Sequence, residues 1–413
     1  MGTLPKIIWV AARPPVPPFS GITGKTLCGL DALSAYTEVD LVTFVDRLFL
    51  ERCKCALYEY WGDRPISFHI LPKREIHAIH SLYAITRRRF SSGLIFPAEL
   101  LAAKLTELKW HSFDRLVIFD DIVLAPFGRQ YGHNAILSPH DCMSRMFFSH
   151  FKLQPFSFHK FRKLLQFMIA REYEKKFYHH FLLVHVITQR DRVLLQQINP
   201  SARYHVVPNS DLLNPGLIRN WDSSWDILIW GDLSIPSCAL GAREFLTYAQ
   251  KNHKVAGARK LLVGRVSAKE ALRLLGQEIM TQITYSPQLE DETGYIRSAK
   301  IIVIPDLGGA GIKNRVVNVL SSGLCLACLI SQMEGVEAIA DRGAINAATM
   351  RELVAKIAWA LETQEYKQIA NRGQRLYQEY YSLESIRKLW RETLERALSV
   401  RYWLAASNSD DRF

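Results

Sequence analysis

One stretch of the chain, residues 301–337, constrains the fold more than any other. An apolar run at 301–304 indicates a buried parallel strand, and the glycine-rich loop 308–311 follows it. Apolar residues at helical spacing then predict a helix over 316–323, and the apolar run 324–330 predicts the next strand. The order of strand, glycine loop, helix and strand is typical of a parallel α/β sheet.

The loop in this stretch suits a phosphate. Gly308, Gly309 and Gly311 carry no side chains that would keep a ligand away from the backbone N–H groups. The start of the helix that follows has unpaired N–H donors and a partial positive charge. Lys313 and Arg315 add two full positive charges beside it.

An alternation of strands and helices occurs twice along the chain, on either side of a turn-rich linker at 209–216. Before the linker we predict strands at 6–11, 39–45, 116–119, 135–137 and 182–187, helices at 23–35, 100–108 and 191–198, a long amphipathic helix at 159–181, and an extended segment at 204–208. After it we predict strands at 226–230, 260–263, 282–285 and 301–304, with helices at 241–250 and 268–275.

These patterns predict an α/β fold with two doubly wound, Rossmann-like domains facing a central cleft. The first domain is predicted at 1–208 and the second at 209–380. The chain from 351 to 397 reads as helical, with a break near 380–383. We expect 381–413 to form a terminal helix that returns to the first domain, followed by a tail.

Composition limits the partners. The 413 residues carry a net charge of +12, which favours anionic partners such as nucleotides, anionic lipid or nucleic acid. No nucleic-acid recognition motif accompanies the charge. Seven cysteines without metal-ligand spacing indicate a reduced, cytoplasmic setting. We expect neither a signal peptide nor a spanning helix, since no apolar run approaches the ~20 residues that a span needs.

The residues from Gly309 to Arg315 read Gly-Ala-Gly-Ile-Lys-Asn-Arg. They resemble the donor loop of GT-B glycosyltransferases of the family-4 kind, the group 1 glycosyl transferases. The resemblance covers nearly the whole chain. It implies that the loop binds the diphosphate of a nucleotide-sugar. The implied donor-binding residues in this stretch are Gly309, Gly311, Ile312, Lys313, Arg315 and Asn318.

Four further stretches carry the resemblance in the expected order. Residues 13–27 imply that Gly21 approaches the donor diphosphate, and 135–147 imply catalytic roles for His140 and Asp141. Residues 171–213 place Asn209 at the donor. The segment 380–394 resembles the terminal helix of this fold. Glu174, in the third stretch, is either a cleft residue or a solvated helix carboxylate, and the solvated state is favoured. Glu334 and Gly335 match a step that follows the next strand in relatives.

Two departures from the family pattern concern the donor site. Asn318 stands where the family has a ribose-binding glutamate, and an amide lacks the charge-assisted hydrogen bonds of a carboxylate. The second domain opens with Trp230, Gly231 and Asp232, without the arginine that contacts phosphate in relatives.

The resemblance implies transfer of a hexose-like sugar from a UDP- or GDP-sugar to a glycan, lipid-linked or other acceptor, in polysaccharide or glycoconjugate biosynthesis. It implies retention of configuration, no cofactor and no metal. Arg88 and Arg89 are the expected acceptor contacts, and a peripheral position at the inner membrane face stays open. The main alternative is a non-catalytic GT-B protein that binds a nucleotide-sugar or a partner, and an epimerase is a second.

Overall fold

The computed structural model describes residues 4–17, 21–74, 90–139, 141–154, 156–211, 224–287, 293–308 and 311–410. The chain divides into two compact units, each built around one parallel sheet. The first unit comprises Met1–Phe148, Phe161–Asn209 and Ile386–Phe413, and the second comprises Ser149–Lys160 and Ser210–Ser385. Among the described residues, no helix combines the length and the apolar character needed to cross a membrane.

The first unit contains a seven-stranded parallel sheet in the order β3-β2-β1-β4-β5-β6-β7. Its central strands are apolar runs buried on both faces, as parallel strands between two helical layers require. The strands are β1 Lys6–Ala11, β2 Val39–Val45, β3 Ile66–Pro72, β4 Arg115–Asp120, β5 Ala135–Ser138, β6 Leu183–Val186 and β7 Tyr204–Val206.

Helices connect these strands. They are α1 Gly21–Ser34, α2 Leu50–Trp61, α3 Ala98–Glu107, α4 Ala125–Gly128, α5 Met143–Leu153, α6 Phe158–Phe177 and α7 Gln189–Ile198. The sequence missed β3, α2, α4 and α5. The edge strand β3 is only half-buried along most of its length, so its apolar signal is weak.

The second unit contains a six-stranded parallel sheet in the order β10-β9-β8-β11-β12-β13. The strands are β8 Trp225–Trp230, β9 Lys260–Gly264, β10 Thr284–Pro287, β11 Ala299–Ile304, β12 Cys325–Leu329 and β13 Ile345–Ala347. The predicted α/β fold with two doubly wound parallel sheets is therefore confirmed. The sequence missed β13, whose three residues are too few to show a pattern.

The helices of the second unit are α8 Pro236–Lys251, α9 His253–Ala256, α10 Ala268–Leu275, α11 Gln277–Met280, α12 Thr293–Arg297, α13 Asn314–Ser321, α14 Glu337–Gly343, α15 Met350–Thr363 and α16 Tyr366–Tyr380. The segment predicted as helical from 351, with one break near 380–383, is divided twice. Gln364, with φ +59°, separates α15 from α16. The second break, between α16 and the last helix, falls at the predicted place.

The last helix, α17 Leu383–Asp410, packs on the first sheet. Trp390 is buried there, with its ring 5.5 Å from that of Trp9 on β1 and 4.5 Å from that of His185 on β6. The buried hydroxyl of Thr393 lies 2.8 Å from Nδ1 of His205 on β7. The predicted return of the terminal helix is therefore confirmed.

Candidate functional site

Strand order locates the candidate site in each sheet. In doubly wound sheets, ligands bind beyond the carboxyl ends of the strands, at the point where the strand order reverses. That point lies between β1 and β4 in the first sheet and between β8 and β11 in the second. The predicted site residues follow or flank the strands at the carboxyl ends of both sheets.

In the second unit, the predicted strand, loop and helix are present as β11, residues 305–313 and α13. Gly311 has φ +68°, a left-handed conformation that glycine adopts without a steric penalty. Ile312 is buried, and Lys313 is half-buried at the residue that precedes α13. Gly309 lies outside the described residues. The loop therefore brings a backbone turn and one lysine to the start of a helix.

Arg315 has partners within the protein. Its guanidinium forms an ion pair with buried Asp306 at 2.9 Å and donates a hydrogen bond of 2.6 Å to the carbonyl of Trp230. The side chain is 21% exposed. Since Trp230 ends β8 and Asp306 follows β11, Arg315 joins the two strands at the reversal point. The predicted contact of Arg315 with the donor phosphate stays a prediction.

Close packing at two glycines also shapes this point. A Cβ atom on Gly241 in α8 would lie 1.7 Å from the carbonyl oxygen of Pro305. A Cβ atom on Gly231 would lie 2.1 Å from Sγ of Cys238. Only glycine permits α8 to approach the start of the loop this closely. The end of β8, the start of the loop and the first turns of α8 are therefore in close contact.

Asn318 is half-buried on α13, where its backbone carbonyl accepts hydrogen bonds from the hydroxyls of Ser321 and Ser322.

The linker into this unit is held by a tyrosine on α16. The hydroxyl of Tyr377 lies 3.0 Å from Oγ of Ser210 and accepts the backbone N–H of Asp211 at 3.0 Å. The predicted donor residue Asn209, which ends the first unit, is buried.

The Glu-Gly step after β12 forms a turn. Gly335 has φ +80°, and its N–H donates to Oε1 of Glu337 at 2.8 Å. Glu334 is buried. The turn leads into α14, whose first residue is Glu337. The Glu-Gly step thus follows the strand that comes after the glycine loop, which is its place in the quoted pattern.

In the first unit, a buried lysine occupies the reversal point. Lys25 on α1 donates to the carbonyls of Ser138 and Pro139, at 3.0 and 2.7 Å, and lies 3.5 Å from Oδ1 of Asp120. The other carboxylate oxygen of Asp120 accepts hydrogen bonds from Thr26 at 2.5 Å and Trp9 at 3.2 Å. The lysine therefore ties the ends of β4 and β5 to the helix that follows Gly21.

The charges around Lys25 perturb one another. Burial lowers the pKa of Lys25, and the neighbouring aspartates oppose that shift; they are Asp120, Asp141 and Asp121. Burial raises the pKa of Asp121 to about 6, although its carboxylate accepts the N–H of Val123. The predicted Asp141 is half-buried beside this group, and His140 lies outside the described residues.

Glu174 is fully buried on α6, so the expectation of a solvated carboxylate was wrong. Its Oε1 accepts the N–H of Ser144 at 2.9 Å and thereby caps the start of α5. Burial, together with the negative charge of Asp191, raises the pKa of Glu174 to about 7. The loop 138–144, which contains the predicted catalytic residues, is thus held by Lys25 on one side and Glu174 on the other.

The remaining predicted residues can be placed briefly. Gly21 is the first residue of α1. Arg88 and Arg89 lie outside the described residues. Within the part of the chain that the structure describes, no three histidine, cysteine or carboxylate side chains converge as a metal site.

Comparison with known proteins was made at the level of sequence and of structure. No family model and no curated protein sequence matches the chain. Solved structures do match over nearly its full length. TarM superposes with a TM-score of 0.68 at 12% identity, covering 95% of this chain and 99% of TarM. These neighbours are GT-B proteins. The chain has the GT-B fold.

Two further GT-B structures are similar over comparable lengths. HepE from Anabaena, in complex with UDP, superposes with a TM-score of 0.64 at 14% identity and covers 94% of this chain and 99% of its own. Sucrose-phosphate synthase from Thermosynechococcus elongatus gives a TM-score of 0.64 at 12% identity, with coverages of 97% and 100%. The predicted GT-B architecture is confirmed.

Proposed function

We propose that this protein is a glycosyltransferase that takes its sugar from a UDP- or GDP-sugar. The observation that carries the proposal is the phosphate-suited loop 305–313 at the reversal point of the second sheet of a GT-B fold. The structural neighbours add support. One solved structure of HepE contains UDP-glucose, and a TarM variant contains α-GlcNAc-glycerol and UDP.

The donor diphosphate would bind at Gly309, Gly311 and the start of α13. Lys313 and Arg315 would be its cationic partners, and Arg315 is oriented by its bonds to Asp306 and the Trp230 carbonyl. Negative charge develops on the diphosphate as the sugar leaves. A positioned lysine and a helix start stabilise that charge without reorganising. Ile312, Asn318, Asn209 and Gly21 complete the proposed donor site.

The sugar-transfer step would occur beside the loop 138–144, with His140 and Asp141 as catalytic residues. Lys25 and Glu174 are positioning residues, since each binds backbone atoms of this loop. We propose retention of configuration and no requirement for a metal or other cofactor. Arg88 and Arg89 are the proposed acceptor contacts. A role in polysaccharide or glycoconjugate biosynthesis, in the cytoplasm and at an anionic membrane face, is part of the same proposal.

The decisive experiment measures nucleotide release from UDP- and GDP-sugars by the purified full chain. We expect slow hydrolytic release from one donor, and loss of most of that release in Lys313→Ala and in His140→Ala. The exposed Lys269 on α10 provides a matched control, and Lys269→Ala should release nucleotide at the parental rate. We expect the same rate of nucleotide release with and without EDTA. Abolition of release by the chelator would overturn metal independence.

A second function is favoured by one observation, the amide of Asn318 in place of the carboxylate of relatives. This is a non-catalytic nucleotide-sugar-binding protein. A thermal-shift screen with UDP and GDP, together with the release assay, distinguishes the two functions. Stabilisation by UDP or GDP with no release from any donor supports the binding protein. Absence of both stabilisation and release would refute both functions.

A further inference from the structure

The first unit contains a cavity of about 600 Å³ that the proposed donor and catalytic residues do not line. It lies between the segment that leads into α3, the helix α4 and the last turns of α6. Its volume falls within the range of small-molecule sites in proteins.

The floor of the cavity is aromatic and already ordered. The ring of Tyr173 packs edge-on against Phe90 and Phe177, with centroid distances of 5.1 Å in each pair. All three side chains are buried, and the half-buried Leu94, Val123, Pro126 and Phe127 supply further apolar lining. Because the rings hold one another in place, an apolar ligand would enter a preformed surface and would not have to order it.

The rim of the cavity is positively charged. The guanidinium of Arg129 lies 5.7 Å from the centre of the Phe177 ring, and the ammonium of Lys176 lies 5.9 Å from the same centre. Glu172 also lines the rim, which leaves a local excess of one positive charge. Both cations are exposed at the mouth, so a bound anion would keep part of its hydration.

We propose that this cavity binds an amphiphilic phosphate, with its hydrocarbon chain on the aromatic floor and its phosphate between Arg129 and Lys176. The proposal rests on the proposed function in one respect, since it assigns the acceptor to the class of lipid-linked phosphates. A hydrocarbon chain suits the apolar and aromatic side chains of the lining. A phosphate suits the two cations at the mouth of the cavity, Arg129 and Lys176, which lie near the same Phe177 ring.

Titration calorimetry with decyl phosphate below its micellar concentration tests the proposal on the full chain. We expect saturable binding of one molecule. Octyl phosphate should bind about fifteenfold more weakly, since each of the two missing CH₂ groups contributes about a factor of four when buried. Two further probes separate the parts of the ligand: inorganic phosphate should not bind detectably, and decyl glucoside should bind at least tenfold more weakly than decyl phosphate.

Two variants and one matched control test the location. Arg129→Ser combined with Lys176→Ser removes both cations from exposed positions and should weaken binding at least tenfold. Ala98→Trp, at an exposed residue of the cavity wall, should block it. The control is Lys175→Ser, an exposed neighbour on α6 that does not line the cavity, and it should bind like the parent.

Several results would overturn the proposal. These are no saturable binding of decyl phosphate, equal binding of decyl glucoside, or parental affinity in both cavity variants. The measurement needs no nucleotide-sugar. It can therefore succeed when the donor assays fail, and fail when they succeed.

Discussion

Replacing Glu174 with glutamine should change how stability depends on pH. The carboxyl is fully buried, and its pKa is raised from an ordinary value of 4.5 to about 7. The folded state therefore binds more protons than the unfolded state between these two values. Stability falls as pH rises through this window. Each pKa unit corresponds to about 1.4 kcal/mol, so the fall due to this group is about 3 kcal/mol.

Glutamine keeps an oxygen that can accept the Ser144 N–H but has no proton to lose in this range. The free energy of unfolding of Glu174→Gln, minus that of the parent, should therefore rise by about 3 kcal/mol from pH 4.5 to 7.5. Taking the difference removes the contributions of other titrating groups, among them Asp121 and His205. Urea denaturation followed by tryptophan fluorescence at half-unit pH steps measures it, with each unit's transition fitted separately if the two separate.

Glu172→Gln provides the control, because Glu172 is an exposed carboxylate on the same helix. Its difference from the parent should stay flat with pH. A flat or falling difference for Glu174→Gln would refute the reasoning. It would mean that the carboxylate is ionised in the folded protein and that the charge favours the helix cap.

Three other predictions concern packing and charge. Gly241→Ala should lower the free energy of unfolding by at least ~2 kcal/mol and weaken nucleotide binding, because the new Cβ atom would clash with the Pro305 carbonyl. Denaturation and thermal-shift assays measure both effects. The control is Gly294→Ala, which has open space around the new Cβ atom and should lower stability far less. Lys25→Met should destabilise the first unit by about 3–5 kcal/mol, since it leaves the buried carboxylate of Asp120 without its cation. The same substitution should lower the turnover number more than the donor affinity. Unchanged stability of the variant would contradict this prediction. Burial lowers the pKa of His205 from 6.5 to about 4, so the unfolded state binds more protons than the folded state between these values. The protein should therefore lose stability as pH falls from 6.5 towards 4. In denaturation curves, His205→Asn should remove the part of this loss that is due to His205.

The strands and the glycine loop were predictable because their signals are local. Apolar runs such as 301–304 occur where a strand is buried on both faces, and Gly311 stands where the backbone needs a positive φ. Two of the edge strands were missed, because β13 is short and β3 is half-exposed.

The roles of individual charges were not predictable from the sequence. Arg315 follows the phosphate-suited loop, and no local pattern in the sequence indicates its ion pair with Asp306, nine residues earlier. Lys25 occupies a helical turn where a lysine would ordinarily be solvated, and its carbonyl partners are more than a hundred residues away. Glu174 has charged neighbours in the sequence that suggest an exposed helix face. Only tertiary contacts decide these three cases.

The first unit is discontinuous along the chain, and this has a consequence for biosynthesis. Its opening strand carries Trp9, and the helix that covers this tryptophan carries Trp390. When residues 1–209 have been synthesised, α17 has not, and the surface of the first unit that α17 covers, including Trp9, is still exposed. The second unit, by contrast, has all its strands before residue 350. Domains generally fold in order of synthesis, but here the unit begun first would be the last to be completed.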